Sequence, residues 1–445
     1  MFDSSLKSKY TRHIPYFAGL EELGIAGKGV ALNHNINAWK YNRHFFSRAL
    51  LTPTFTKNSV IWTQNLVEDL MKFWKEASDD NGCLETDIVE WARRFTTDST
   101  TLFTTGTRIH SMEAHYYELM ALHNKKKPKK ASYNNITDAT KFVNSIETFV
   151  EGVYFFMVVS PWLRKCLPSL STTSKHYLEN RDWLFNNIDK LIKRRRKEIE
   201  YTPRKQPLRI DMLTCMLTTN TDRDICEIKP IDKEHARPMT NEEVRGILWE
   251  AYVAGIDTAN LFTFIVYYLA KYPDVLKRLR DELDGFFEKL GDCRLDIENL
   301  SELVYTEAVI KEVARIFAPA PYTARNSTAE DILEGHVWPE GTQYIINIQA
   351  LNLNEEYWDK PKQFNPDRWL DNTESEKLMP FVAFGGGRRV CPGRKLAFIQ
   401  LKSKVALIYH KLDITLIDKN APVKTKFVLM RSFHDLFVQI KPRKV

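Results

Sequence analysis

Cysteine is scarce in this chain and never clustered. Six occur in 445 residues, at positions 83, 166, 215, 226, 293 and 391, and no two stand at the C-x-x-C spacing of a metal or redox motif. Their scatter gives no disulfide framework, so a reducing compartment is the expected one. Long apolar runs are also missing. The most apolar stretch, Val153-Tyr-Phe-Phe-Met-Val-Val159, falls far short of the roughly 20 residues of a spanning helix. It reads as a buried helix end, or as a segment that dips into a membrane face. There is no secretory signal, internal repeat, low-complexity linker or G-x-G-x-x-G dinucleotide fingerprint. Strands do not alternate with helices as a doubly wound fold requires. Nor does one sign of charge dominate, since 64 basic against 57 acidic residues leave +7. The basic clusters Lys125–Lys130 and Lys193–Lys197 lie far apart in sequence. They read as solvated loops and a solvated helix face rather than one nucleic-acid footprint, with an acidic membrane surface or acidic protein as the sharper alternative.

Helical periodicity dominates from about Ala38 to Phe317. One helix is expected to start at Asn37 as cap, bringing Trp39 and Arg43 to one face at i, i+4. Others are expected near 58–76, 86–105, 138–158 and 174–199, and a polar, proline-broken connection from about Tyr201 to Pro238. Thr240-Asn-Glu-Glu243 fits a capping box that opens the longest helix, which Tyr272-Pro273 stops. Pro273 is placed to open the next helix, and another spans about Ser301 to Phe317. Beyond Pro321 the pattern turns β-like at Gln343–Gln349, Phe427–Met430 and Leu436–Ile440, with a turn at Phe433-His434-Asp435. The expected fold is mainly α with smaller β-sheets, in a single domain over residues 1–445.

The chemistry gathers at Phe384–Gly393, FGGGRRVCPG. Consecutive glycines permit backbone conformations closed to other residues and a close approach by a flat ligand. Arg388 and Arg389 favour a thiolate at Cys391 and pair well with carboxylates. Such a loop suits a thiolate held against a metal cofactor that carries its own carboxylates, and haem fits that description. A lone cysteine in a glycine-rich loop is otherwise structural.

The spacing goes further. Phe384, Gly387, Arg389, Cys391 and Gly393 fit F-x-x-G-x-R-x-C-x-G. Three more stretches occur in the order Ala254-Gly-Ile-Asp-Thr258, Glu312-Val-Ala-Arg315 and Phe364-Asn-Pro-Asp-Arg368-Trp369. Together they resemble the cytochrome P-450 superfamily of haem-thiolate monooxygenases, eukaryotic microsomal type, from about Trp39 to the C-terminus. The resemblance implies haem b with Cys391 as the proximal iron ligand. It implies propionate contacts from Arg389, Trp39, Arg43 and Arg325. Glu312, Arg315 and Arg368 would form a buried network behind the haem that supports the Cys391 loop. Asp257 and Thr258 would organise water and deliver protons to dioxygen. Val253, Ala254, Ala320, Tyr322 and Phe433 would line an apolar substrate cavity, with plain core packing as the alternative for each.

The activity so implied inserts one atom of dioxygen into a small apolar organic substrate. Electrons would come from NADPH through a separate NADPH–cytochrome reductase, at the cytoplasmic face of the endoplasmic reticulum if an anchor lies upstream. No nucleic acid is expected as a partner, while peripheral membrane contact is. Only 38 residues precede Trp39, where such relatives carry an anchor, a first helix and the first sheet strands. Those elements are therefore expected to be missing. An inactive haem-binding remnant and a reductase-independent isomerase or peroxygenase are the rival readings; the Asp257–Thr258 pair argues against the second.

Overall fold

The computed structural model describes residues 10–11, 18–33, 35–122, 136–226, 235–291, 293–370 and 381–443. Helices α1 (Ala18–Glu22), α2 (Ile36–Leu51), α3 (Pro53–Ala77), α4 (Ile88–Thr105), α5 (Ser111–Leu122), α6 (Ile136–Val158), α7 (Pro161–Cys166), α8 (Pro168–Tyr201) and α9 (Met212–Thr218) precede the central α10 (Asn241–Lys271). After it come α11 (Pro273–Leu290), α12 (Ile297–Ser301), α13 (Val304–Ile316), α14 (Ile348–Asn352) and α15 (Arg394–Lys411).

The strands are β1 (Tyr10–Thr11), β2 (Leu84–Asp87), β3 (Tyr322–Ser327), β4 (Asp331–Leu333), β5 (His336–Trp338), β6 (Gln343–Asn347), β7 (Leu412–Leu416), β8 (Thr425–Val428), β9 (Met430–Phe433) and β10 (Phe437–Pro442). They form two three-stranded sheets, ordered β1-β3-β6 and β2-β10-β7, and two hairpins, β4-β5 and β8-β9. In the second sheet Thr86 sits opposite Val438, and Ile440 opposite Ile414, so the C-terminus closes over the strand before α4.

Helix α10 organises the interior. Thr240 caps it, accepting from the Glu243 amide while the Glu243 carboxylate accepts from the Thr240 amide. Tyr272 ends it and Pro273 opens α11. By length and composition alone α10 is apolar enough to cross a membrane, but here its side chains build two cores. Val244, Ile247, Leu248, Trp249 and Tyr252 pack with α2, α6, α8 and α9. Leu261, Phe262, Phe264, Ile265 and Leu269 pack with α3, α4, α13 and α15. Between the cores, every residue from Val253 to Thr258 keeps some solvent exposure, although Asp257 Oδ1 itself has none. The helix is thus only partly covered where the Ala-Gly-x-Asp-Thr motif lies, between its two buried stretches.

Several local expectations are corrected. Asn35, not Asn37, caps α2: its Oδ1 accepts from the Ala38 amide at 3.0 Å, while its own amide donates to Asn33 Oδ1 at 3.0 Å. Phe427–Met430 is not one strand, because Leu429 at φ 62° turns the chain and Val428 faces Met430 across a hairpin. Helix α5 was not anticipated; Asp98 accepts from the Ser111 and Met112 amides and so caps it from another helix. Cys215 and Cys226 are joined as a disulfide, Cα–Cα 5.8 Å, because the chain turns back after α9. The N-terminal region is more structured than expected, with β1 paired to β3 and α1 packed on α6. The Val153–Val159 run is the end of α6, with Val153 and Phe156 buried and Val158 exposed. In Lys193–Lys197 only Arg195 turns inward, to Asp211 and Thr214. The Lys125–Lys130 cluster lies outside the described residues.

Candidate active site

The Cys391 loop is built by its own backbone. Gly385 and Gly387 have φ of 71° and 61°, values that L side chains rarely adopt. Gly386, by contrast, is extended. The Cys391 amide donates to the Phe384 carbonyl at 2.8 Å and the Val390 amide to the Gly387 carbonyl at 3.1 Å. These bonds leave Cys391 exposed at the mouth of the loop, three residues before α15 begins. Phe384 anchors the loop against Phe398 of α15 at 5.5 Å.

Helix α2 grips the same loop. Arg43 Nη2 donates to the Val390 carbonyl at 2.6 Å, and the Arg389 guanidinium lies 3.5 Å from the Trp39 ring centroid. The i, i+4 spacing of Trp39 and Arg43 therefore brings both to the residues flanking Cys391, as the helix geometry requires. Arg325 is buried in β3, where Nη1 donates to Thr323 Oγ1 at 3.1 Å and to the Ala324 carbonyl at 2.8 Å.

Behind the loop, five donors converge on one buried carboxylate. Glu312 accepts from Arg315 Nε at 2.9 Å and Nη2 at 2.8 Å, Arg368 Nε at 3.0 Å, the Asn365 amide at 3.0 Å and Trp369 Nε1 at 2.9 Å. Glu312 and Arg315 are both 0% exposed. The Trp369 ring touches Phe381 at 5.1 Å and Phe381 touches Phe384 at 6.2 Å, so the network reaches the loop through three aromatic rings. The Trp369 and Asn365 contributions were missed in the sequence. Trp369 stands beside Arg368 in the motif, but a backbone amide leaves no residue signature.

The partly covered segment of α10 supplies the other side chains. Gly255 is needed where α4 crosses, because a Cβ there would lie 2.5 Å from Thr100 Oγ1. Ala254 is exposed in the middle of the helix, and Val253, Asp257 and Thr258 are half-buried. Asp257 Oδ1 is out of solvent contact with no hydrogen-bond partner among the described residues. Burial pushes the Asp257 carboxyl up to about 7, since a desolvated carboxyl resists ionisation. Helix α10 packs on both α2 and α15, the two helices that frame Cys391. Of the other cavity candidates, Ala320 is half-buried, and Tyr322 is exposed at the start of β3, edge-on to Phe427 at 6.3 Å. Phe433 is 1% exposed and packs on Phe264 and Tyr267 of α10, at 4.3 and 5.5 Å.

These residues fit haem. Trp39 Nε1 is buried without a hydrogen-bond partner among the described residues, beside two arginines and an exposed thiol. That donor set suits a flat iron cofactor bearing carboxylates. A sequence profile of the cytochrome P-450 family matches residues 7–438.

The chain belongs to the cytochrome P-450 family. The match starts well before Trp39, where the motif-based resemblance began. Among curated P-450 relatives, 2-hydroxyisoflavanone synthase of Glycyrrhiza echinata is 27% identical over 254 residues, 54% of this chain and 47% of the relative. Alkane hydroxylase MAH1 of Arabidopsis thaliana is 27% identical over 56% of this chain and 48% of the relative. Beta-amyrin 11-oxidase of Glycyrrhiza uralensis is 29% identical over 50% and 43%. The chain thus spans about half the length of the curated relatives it matches. Among solved structures, a mutant cytochrome P-450DA haem domain superposes with TM-score 0.77 at 18% identity, covering 99% of this chain and 85% of that one. At that identity the likeness shows the fold alone.

Proposed function

We propose that this chain is the catalytic core of a haem-thiolate monooxygenase acting on a small apolar organic substrate. The observation that carries the reading is the exposed Cys391 thiol, set in a loop that α2 clamps through Trp39 and Arg43. When bound, haem supplies the redox-active iron at which dioxygen is activated and one oxygen atom is passed to substrate. Cys391 would ligate the iron, and Trp39, Arg43, Arg389 and Arg325 would hold the propionates. The Glu312–Arg315–Arg368 network keeps the loop in place.

Asp257 has the remaining chemistry. Its carboxyl is about half protonated near neutral pH, so Oδ1 can hold a proton and give it up without a large penalty. Thr258 is the adjacent hydroxyl and relays that proton to the reacting oxygen. Val253, Ala254, Ala320 and Tyr322 contribute no charge, which suits an apolar substrate. Relatives named an alkane hydroxylase and a beta-amyrin oxidase support an organic substrate of that kind.

Electrons would come from NADPH through a separate reductase. Arg388, Arg394 and Lys395 are exposed around Cys391, and exposed Lys40 lies one turn before Arg43. Such a basic rim favours an acidic partner and speeds its encounter. Membrane contact is supported at the tip formed by the end of α6 and by α7, where Val158 is 59% and Trp162 69% exposed. This fits residence on the cytoplasmic face of the endoplasmic reticulum.

The test is spectroscopic. Haem-loaded protein, reduced and exposed to carbon monoxide, should show the thiolate-type absorption band, and Cys391→Ala should lose it. Persistence of the band in that variant would show that another cysteine is the ligand. NADPH-dependent turnover with a reductase separates the monooxygenase from an isomerase or peroxygenase.

A further inference from the structure

The segment before α2 is held to α10 by a device that the family motifs do not include. Every fourth residue of α10 from Glu242 lies on one ridge of the helix surface. Its first three rungs bind residues 28–32. Lys28 Nζ pairs with Glu242 at 2.5 Å. Gly246 lets the strap approach so closely that a Cβ there would lie 2.7 Å from the Gly29 amide nitrogen. Glu250, 7% exposed, accepts from three successive backbone amides: Val30, Ala31 at 2.6 Å and Leu32 at 2.9 Å. Successive amides aimed at one anion form a backbone nest. Gly29 completes it, with φ 72° and a Cβ position only 2.5 Å from the Glu250 carboxylate.

The strap then passes its position to α2. The Gly29 carbonyl accepts from Asn33 Nδ2 at 3.1 Å and from buried Asn42 Nδ2 at 2.9 Å. Asn42 precedes Arg43, which holds the Val390 carbonyl beside Cys391. The same α10 ridge continues through Ala254 and Thr258. One row of side chains therefore carries both the strap anchor and Thr258 of the proposed proton relay.

We infer that Glu250 is a positioning residue: by filling the nest of Val30–Leu32 it fixes α2, and with it Trp39 and Arg43, relative to α10 and the Cys391 loop. The haem consequence rests on the monooxygenase reading above; the clamp itself does not. Glu250→Gln keeps the shape but replaces one acceptor oxygen by a donor facing the amides. Gly29→Ala attacks the same contact from the other side. Each variant should speed hydrogen exchange at the Val30, Ala31 and Leu32 amides by about 10–100-fold, as loss of one or two charge-assisted hydrogen bonds predicts. In haem-loaded protein each should also speed haem transfer to an acceptor globin. Lys28→Ala, at an exposed pair, should change neither appreciably. A merely structural glutamate would lower global stability without singling out these amides or haem release.

If Glu250→Gln folds, releases haem and exchanges these amides at wild-type rates, the inference is wrong while the monooxygenase reading stands. If the wild-type chain takes up no haem, that reading fails, and the exchange arm still decides the clamp. If both variants fail to fold, exchange in the wild type decides: amides 30–32 must be protected far above loop rates, and unprotected amides would refute the clamp.

Discussion

Replacing Glu312 with alanine removes the acceptor for five hydrogen bonds. Arg315, fully buried, would keep the Asn352 carbonyl at 2.8 Å and the Gln363 carbonyl at 3.4 Å, with no counter-charge from Glu312. Breaking a buried pair by deleting one partner costs roughly 3–5 kcal/mol, because the remaining charge is desolvated without compensation. Against a typical stability of about 5–15 kcal/mol, that is a large fraction of the total. The damage should concentrate on residues 359–369, whose Arg368 and Trp369 lose a shared anchor, and pass through Phe381 and Phe384 to the Cys391 loop. Glu312→Ala should thus lower the denaturation midpoint and the haem content per polypeptide together. Trp369→Phe, which deletes a single bond to Glu312, should cost only about 1–3 kcal/mol. Denaturant titration of the three proteins with haem quantification measures both effects. Normal stability and full haem content in Glu312→Ala would refute the idea that this carboxylate supports the loop.

Thr258→Ala should keep haem and substrate binding and continue to consume NADPH with the reductase, but release more hydrogen peroxide; product formation should fall by on the order of 10²–10⁴-fold, and an unchanged product yield per NADPH would rule out the relay. Because the protonated fraction of Asp257 falls as pH rises through about 7, product per NADPH should decline across that range; a pH profile of Asp257→Asn that keeps the same inflection would assign it to another group. Lys404 is buried between Phe95 and Phe262, its nitrogen 4.0 and 4.3 Å from their ring centroids, and burial lowers its amine to about 7. The unfolded chain binds that proton more tightly, so stability should fall as pH drops from about 10 towards about 7. Lys404→Met should remove that slope and stabilise the protein at pH 7 by roughly 1–3 kcal/mol after loss of the cation–π contacts; equal melting profiles of the two proteins from pH 7 to 10 would contradict this.

Much of the site was legible because its elements are local. Trp39 and Arg43 share a face through helical spacing alone, Glu312 and Arg315 likewise, and the Thr240 capping box needs only four residues. The glycines of the Cys391 loop announced unusual backbone angles, and two of the three adopt them. Non-local contacts were not legible. Glu250 looks like any helical glutamate until three amides from a segment 218 or more residues away close on it. Phe433 looked equally suited to a cavity wall and to a core, and its contacts with Phe264 and Tyr267 arise only once β9 packs on α10.

The sequence by itself determined the helix-rich fold, the order of the four motifs and residue types that suit a thiolate-ligated iron site, since these follow from short-range periodicity and the chemistry of single side chains. Tertiary structure alone decided that α10 is only partly covered between two cores, that burial holds the Asp257 carboxyl near 7, and that Glu312 receives five donors. Desolvation and hydrogen-bond convergence depend on which distant segments meet, and no spacing along the chain encodes that.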